Sequence, residues 1–509
     1  MNFPDRPSHG LLATWLQDGP FLTGALLCAA AAYGLMSLAW PPGPGVDLRS
    51  YLEYYFDLGP DVRLFRTWGS AQILGWMVQL NYSNFKLTAM FCYLLMVASV
   101  YYVASPFGRV AARVATIVII LHFDLNGLFH HVSSDMLASL GTMALSVLLV
   151  RFHRTPRLLA AVLLGAFTFL TVLLRPASML FVVLGLYPLV SLGINRRNGM
   201  LSLVFLITFT AGWLGYCGYN WFNYGVFSLT KINTQLYWPA YSLFMRNPMF
   251  SRDNGPVSQE LFDQVERILL SQEIYRTHGI DTEQFFHKRD IRMWSDLNYL
   301  DSLQPGLVRK AAFEAIHKNP MGFLLRSMIL PFYHLMTDDD HLSLPLPLPE
   351  TVPPTNHGLE KSFNSTLKDD IHGHTTVSND RPAKWSASEV ERKLKMIDGL
   401  VNGLIKKGDY QTGYLIKTLL IPIMPPMLLF LGAAVLLLGR WRETNVRLLL
   451  LLLMAVTAVI AANAQFAHMV RLRLPYDPIL IIGGLVGLKG HSYFRKILML
   501  DRSHGQARD

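Results

Sequence analysis

Charged side chains are scarce. Only 16% of the 509 residues are Asp, Glu, Lys or Arg, against about a quarter in ordinary globular domains, which argues against a soluble enzyme. Cysteine is scarcer still: Cys28, Cys92 and Cys217 all lie inside apolar runs, excluding a disulfide framework and a cysteine-based metal site. The chain has no glycine-rich loop of the kind that cradles nucleotide phosphates. An inverted repeat, the usual mark of secondary transporters, is also missing.

Apolar residues fill the space that charge leaves, making up 51% of the chain. A helix needs about 20 apolar residues to cross the hydrocarbon core. Windows of that size predict about ten spans, near 20–40, 86–104, 113–129, 136–151, 158–174, 177–194, 200–219, 413–438, 446–464 and 475–489. The first has the weakly basic flank Asp5, Arg6 and no small-residue cleavage site before Pro41, so it reads as a retained anchor. The predicted class is an all-α polytopic membrane protein. Its parts are an N-terminal transmembrane module (1–219), a mainly helical extracytoplasmic domain (220–412) and C-terminal transmembrane helices (413–509).

Basic residues orient these spans. Arg109/Arg113, Arg151/Arg154/Arg157, Arg196/Arg197, Arg440/Arg442/Arg447 and the tail with Lys489, Arg495 and Lys496 all fall on one side, which the positive-inside rule makes cytoplasmic. The net charge of +10 then reflects loop bias and attraction to lipid headgroups, with no nucleic acid required. The first outer loop, 41–85, mixes Tyr51, Tyr54, Tyr55 and Phe56 with Trp68, Ile73 and Trp76, a pattern for one or two helices lying in the membrane interface.

Ionisable residues at membrane depth are costly, so each is a functional candidate. Asp47, Glu53, Asp57, Asp61, Asp135, Arg175, Arg471 and Arg473 are all expected near the outer surface, with Asp124 the exception. Arg66 and His131 join them as substrate-binding candidates. Asp47, just beyond the first span, suits a general base facing water, and equally an N-cap for a helix starting at Leu48. Asp135 opens the fourth span, where capping is again the simpler role. Arg175 stands in an almost loopless turn, where a guanidinium binds phosphate in bidentate fashion. Arg471 and Arg473 run against the positive-inside bias, which favours an anionic ligand over a snorkelling anchor. The adjacent His130 and His131 make a poor metal pair, and Asp338–Asp340 lacks the ligand spacing of a calcium loop. No residue is assigned to a metal. Asn81-Tyr82-Ser83 and Asn364-Ser365-Thr366 match a glycosylation pattern too short to carry weight.

The order of these features resembles the GT-C superfamily of polytopic glycosyltransferases, which includes aminoarabinose lipid transferases, protein O-mannosyltransferases and bacterial arabinosyltransferases. The resemblance covers the chain loosely. It rests on Asp47 with Tyr51, Ser133-Ser134-Asp135, Leu174-Arg175-Pro176, Asn220 with Gly225 and Phe227, Ala315-Ile316 with Asn319-Pro320, and Arg471 to Pro475 followed by Pro478. It implies transfer of a sugar from a polyprenyl-phosphate donor to a glycan, lipid or protein acceptor at the outer face of a membrane, by analogy a bacterial inner membrane. On that reading Asp47 is the base, Asp135 positions acceptor or base, and Arg471 or Arg473 lies near the donor phosphate. A divalent metal stays possible, and no other cofactor is implied. Leu48 stands where many members carry a second polar residue after the first-loop acid, which keeps Glu53 and Asp57 as alternative bases. Two competing classes are another polyprenyl-lipid enzyme, such as an O-antigen ligase or polymerase, and a secondary transporter.

Overall fold

The computed structural model describes residues 18–45, 47–58, 66–230, 251–272, 275–276, 281–287, 297, 300, 303–304, 306–336, 386–420, 425–466 and 473–489. Contacts divide the chain into two units. One comprises Met1–Leu229, Pro331–Pro347 and Ala387–Asp509; the other comprises Thr230–Leu330 and Leu348–Ser386.

Helices dominate. Among the described residues, five are long and apolar enough to cross a membrane: Asp18–Ala39, Tyr82–Phe107, Ser134–Arg154, Arg196–Tyr224 and Thr444–Asn463. At 1.5 Å per residue, even the shortest covers roughly the 30 Å of a hydrocarbon core. The coarse expectation of a mainly helical membrane protein is therefore met. Several of the remaining windows hold broken or short helices, for identifiable reasons. Window 113–129 is a pair of helices bent by 61° at His122. Window 177–194 opens on Pro176 and runs as a 3-10 helix to Leu186 before turning α-helical. Window 413–438 is interrupted ahead of Pro426, the N-cap of its second helix.

The elements run as follows. Helix α1 (Gly19–Ala39) leads to strand β1 (Gly43–Pro44), and the first loop carries α2 (Leu48–Tyr55) and α3 (Trp68–Gln79). Then come α4 (Tyr82–Ala104), α5 (Arg109–Leu121), α6 (Phe123–His130), strand β2 (His131–Val132), α7 (Ser134–Arg154) and α8 (Leu158–Leu174). After the 3-10 run, α9 (Tyr187–Leu192) and α10 (Arg196–Tyr224) close the N-terminal part. Asn81, from the glycosylation-like triplet, caps α4 by accepting from the Asn84 N–H at 2.9 Å.

The second unit contains α11 (Pro256–Gln264), α12 (Thr282–His287) and α13 (Leu307–Lys318). Leu261 and Val265 on one side, with Val308, Ala311 and Ala312 on the other, form its apolar core. Glu314 reaches from α13 to the start of α11, accepting from the Val257 N–H at 3.0 Å and the Ser258 N–H at 2.7 Å. It supplies the cap that Gly255 cannot. Helix α14 (Pro320–Met336) follows.

Helix α15 (Ala387–Leu404) lies in the polar block that the sequence places with the soluble domain, yet its contacts belong to the first unit. It packs on the first-loop helices α2 and α3. Lys393 donates to the Phe56 carbonyl at 2.7 Å, and Arg49 pairs with Asp398 at 3.3 Å. Helices α16 (Tyr410–Leu420), α17 (Met427–Val435), α18 (Thr444–Phe466) and α19 (Asp477–Lys489) follow, with a 3-10 turn, Leu474–Tyr476, before α19.

Both first-loop helices exist. Helix α2 buries Leu48, Tyr51, Leu52 and Tyr54, a helical stripe facing its neighbours. On α3, Leu74, Met77 and Val78 are buried while Trp68, Ile73 and Trp76 stay exposed. The loop is fastened to later helices: Ser70 donates to the Leu174 carbonyl at 2.6 Å, and the Trp68 N–H donates to the Tyr216 hydroxyl at 3.1 Å.

Candidate active site

Strands β1 and β2 pair in parallel, Gly43 with His131 and Pro44 with Val132. This short bridge brings the start of the first loop against the Ser133–Asp135 turn. The approach is close enough that a Cβ on Gly45 would stand 2.6 Å from that of Ser133.

Asp47 occupies the N-cap position of α2, yet its side chain makes no capping hydrogen bond. Its carboxylate pairs instead with Arg66, Oδ1 to Nη2 at 3.2 Å. Ser50 locks the pair in place, accepting from Arg66 Nε at 2.9 Å and donating to the Asp47 carbonyl at 2.9 Å. The Arg66 guanidinium also lies over the Tyr51 ring, 5.0 Å from its centre. Burial works against the charge on Arg66, but Tyr51, Asp47 and Asp135 outweigh it and raise the pKa above the ordinary arginine value.

Asp135 is likewise not a cap. That role falls to Ser133, whose Oγ accepts from the Asp135 N–H at 3.2 Å. The Asp135 carboxylate is therefore available, and it forms an ion pair with Arg175, the residue that ends α8. Arg175 also lies within electrostatic reach of Tyr476, Tyr51 and Asp47. Two acid–arginine pairs thus share one locality with two tyrosines.

The pairs differ in access. The Asp47 and Arg66 side chains are 25% and 20% exposed; those of Asp135 and Arg175 are 5% and 10% exposed. The outer pair can meet a ligand from water, while the inner pair is nearly sealed.

The other candidates make contacts of their own. Glu53 pairs with Arg49 at 3.3 Å on α2. Asp57 has φ 56°, the left-handed position beyond the end of α2. Its N–H donates to the Tyr54 carbonyl at 3.1 Å, and the next N–H, Leu58, donates to Glu53 at 3.1 Å. These two bonds make a Schellman ending, a structural duty usually given to glycine. His131 contributes its backbone to the strand bridge. Arg473, expected near a donor phosphate, is buried against Asp477, with Nε 3.0 Å from Oδ1. Arg471, Asp61, Asp338–Asp340 and Asn364 lie outside the described residues.

Sequence reasoning missed Tyr476, His122 and Asp477. Asp477 opens the last span, so the membrane-depth criterion that selected Asp135 also applied to it. Nothing in a linear pattern singles out Tyr476. Among the described residues, no group of three or more His, Cys, Asp or Glu side chains is placed to hold a metal ion. Comparison of the chain with protein-family models, with curated proteins and with solved structures finds no match.

Proposed function

We propose that the chain is an inverting membrane glycosyltransferase that moves a sugar from a polyprenyl-phosphate donor to a hydroxyl on a glycan, lipid or protein acceptor. The observation that carries this reading is the half-open Asp47–Arg66 pair beside the sealed Asp135–Arg175 pair. Displacement at an anomeric carbon needs a carboxylate to take the acceptor proton and cations to meet the phosphate that leaves. Both are present within one cluster.

In this mechanism Asp47 accepts the proton of the acceptor hydroxyl as its oxygen bonds to the anomeric carbon. The bond from that carbon to the phosphate oxygen breaks, and its electron pair leaves on the polyprenyl phosphate. Arg66, the accessible cation, meets the developing phosphate charge. Arg175, held by Asp135, adds positive potential from below and fixes the carboxylate that orients the acceptor. This assignment replaces the expected role of Arg473, which its pairing with Asp477 explains better. The proposal includes ten spans, an inside N-terminus and a site opening on the outer face of a bacterial inner membrane. It rests on the arginine bias of the short loops.

The test is turnover of a polyprenyl-phosphate sugar by purified protein in nanodiscs. Asp47→Asn is expected to abolish turnover and leave donor binding near wild type, whereas Arg66→Ala weakens donor binding itself. Near-normal turnover in Asp47→Asn would remove that residue as the base and return the role to Glu53 or Asp57.

A further inference from the structure

Arg473, Asp477 and His122, all outside the two acid–arginine pairs, are packed almost out of contact with solvent. The Arg473 and Asp477 side chains are 2% and 0% exposed, and His122 is 2% exposed. Buried charges in a membrane protein are costly unless paired, so such a group persists where its geometry is needed.

The contacts form a chain. Asp477 accepts from Arg473 Nε at 3.0 Å through Oδ1, and its Oδ2 lies 3.3 Å from His122 Nε2. The other ring nitrogen of His122, Nδ1, accepts from the Leu125 N–H at 3.4 Å. A nitrogen that accepts carries no proton, so the ring is assigned the tautomer protonated at Nε2, which donates to Asp477. One imidazole therefore performs two duties, capping α6 and holding the first residue of α19.

What this chain ties together is the site. His122 stands at the 61° break between α5 and α6. Helix α6 runs on through β2 into the turn that presents Asp135. On the far side, the Arg473 carbonyl accepts from the Tyr476 N–H at 2.8 Å. Tyr476 is fully buried and lies within electrostatic reach of Arg175 and Asp135. The turn Leu474–Tyr476 packs on both α6 and α7.

We infer that His122, Asp477 and Arg473 are positioning residues, a buried clamp that sets Tyr476 against the Asp135–Arg175 pair by joining the broken span to the last one. The inference rests on the proposed function for its consequence in turnover, but not for its consequence in geometry. A displacement on the order of 1 Å in a supporting element is enough to cost about 10²-fold in rate.

The two duties of His122 separate by substitution in the full-length protein. His122→Asn keeps a good capping oxygen but falls short of Asp477. His122→Gln places an amide N–H where Nε2 stands and gives up the cap. With 3-fluorotyrosine at position 476 in nanodiscs, the 19F resonance is expected to stay at its wild-type position in the Gln variant and to move in the Asn variant. With a polyprenyl-phosphate sugar, the Asn variant is expected to lose kcat on the order of 10²-fold with donor KM nearly unchanged, and the Gln variant to stay near wild type. The reverse ranking, two wild-type spectra or two equally altered ones overturn the clamp. If the Asn variant does not fold, Asp477→Asn retains an acceptor for His122 and is expected to shift the resonance less than Asp477→Ala; equal shifts overturn the proposal. A wild-type protein that transfers no sugar, with the fluorine ranking intact, refutes the glycosyltransferase reading and leaves the clamp standing.

Discussion

Asp135 and Arg175 meet where little water reaches them, so each depends on the other. Removing one charge leaves its partner buried and uncompensated, a loss of about 3–5 kcal/mol. Asp135→Asn and Arg175→Gln are each expected to lower the thermal unfolding midpoint markedly, and the double variant to recover part of the loss. Additive losses would show that the two residues do not act as a pair. In the second unit, Glu314 makes a pH-dependent prediction. Burial alone would raise its pKa, but the hydrogen bonds from Val257 and Ser258 hold it below the ordinary 4.5. A depressed folded-state value stabilises above the ordinary pKa and loses that contribution as pH falls through the folded one. Protection of residues 256–264 against hydrogen exchange, corrected for the intrinsic rate at each pH, is thus expected to be high at neutral pH and to fall below the ordinary glutamate range. Glu314→Gln should accelerate exchange at neutral pH, costing about 1 kcal/mol, and flatten the pH dependence. At this scale the sequence exposed the acids and arginines as costly charges, but not their pairing. Asp135 finds Arg175 40 positions away, and no local spacing predicts that.

The ends of α2 divide labour in a way visible only in three dimensions. Its first acid, Asp47, gives up capping to pair with Arg66; its last, Asp57, sits in the left-handed region. Glycine carries no steric penalty at such a position, whereas β-branched residues carry a large one. At the backbone Asp57→Gly is therefore expected to be tolerated better than Asp57→Val, which destabilises by about 1–2 kcal/mol. Loss of turnover in a stable Asp57→Gly protein would restore Asp57 as a candidate base. The bridge beside α2 is equally demanding. A methyl group at Gly45 would meet Ser133 at 2.6 Å, so Gly45→Ala is expected to pry the first loop from the Asp135 turn and lower turnover. Amphipathic periodicity made α2 and α3 legible because one face of each is buried. The break at His122 and the 3-10 run from Pro176 were less legible, since hydropathy reports length and not backbone geometry.

Over the whole molecule, apolar length and loop charge yield the helical membrane architecture, while the count of ten spans depends on segments that are short or broken. Orientation can be tested directly. With Cys28, Cys92 and Cys217 replaced, single cysteines at Arg157 and Asp398 are expected to react with an impermeant thiol reagent from opposite sides of the membrane. Labelling of both from one side would contradict the topology. Of the charged residues expected on one face, Asp47 and Asp135 pair with Arg66 and Arg175, while Arg473 pairs with Asp477. The route by which His122 and Asp477 support the site was not legible in sequence, because it joins residues 355 positions apart. On the proposed function, the paired acids and arginines receive a lipid-linked phosphosugar. The most direct test is a photoactivatable polyprenyl-phosphate sugar, cross-linked to the protein in nanodiscs and mapped by peptide mass spectrometry. Labelled peptides are expected to include Tyr51, Arg66 or Arg175, with labelling suppressed by excess unmodified donor. Competed labelling confined to residues 256–318 would contradict the proposed function.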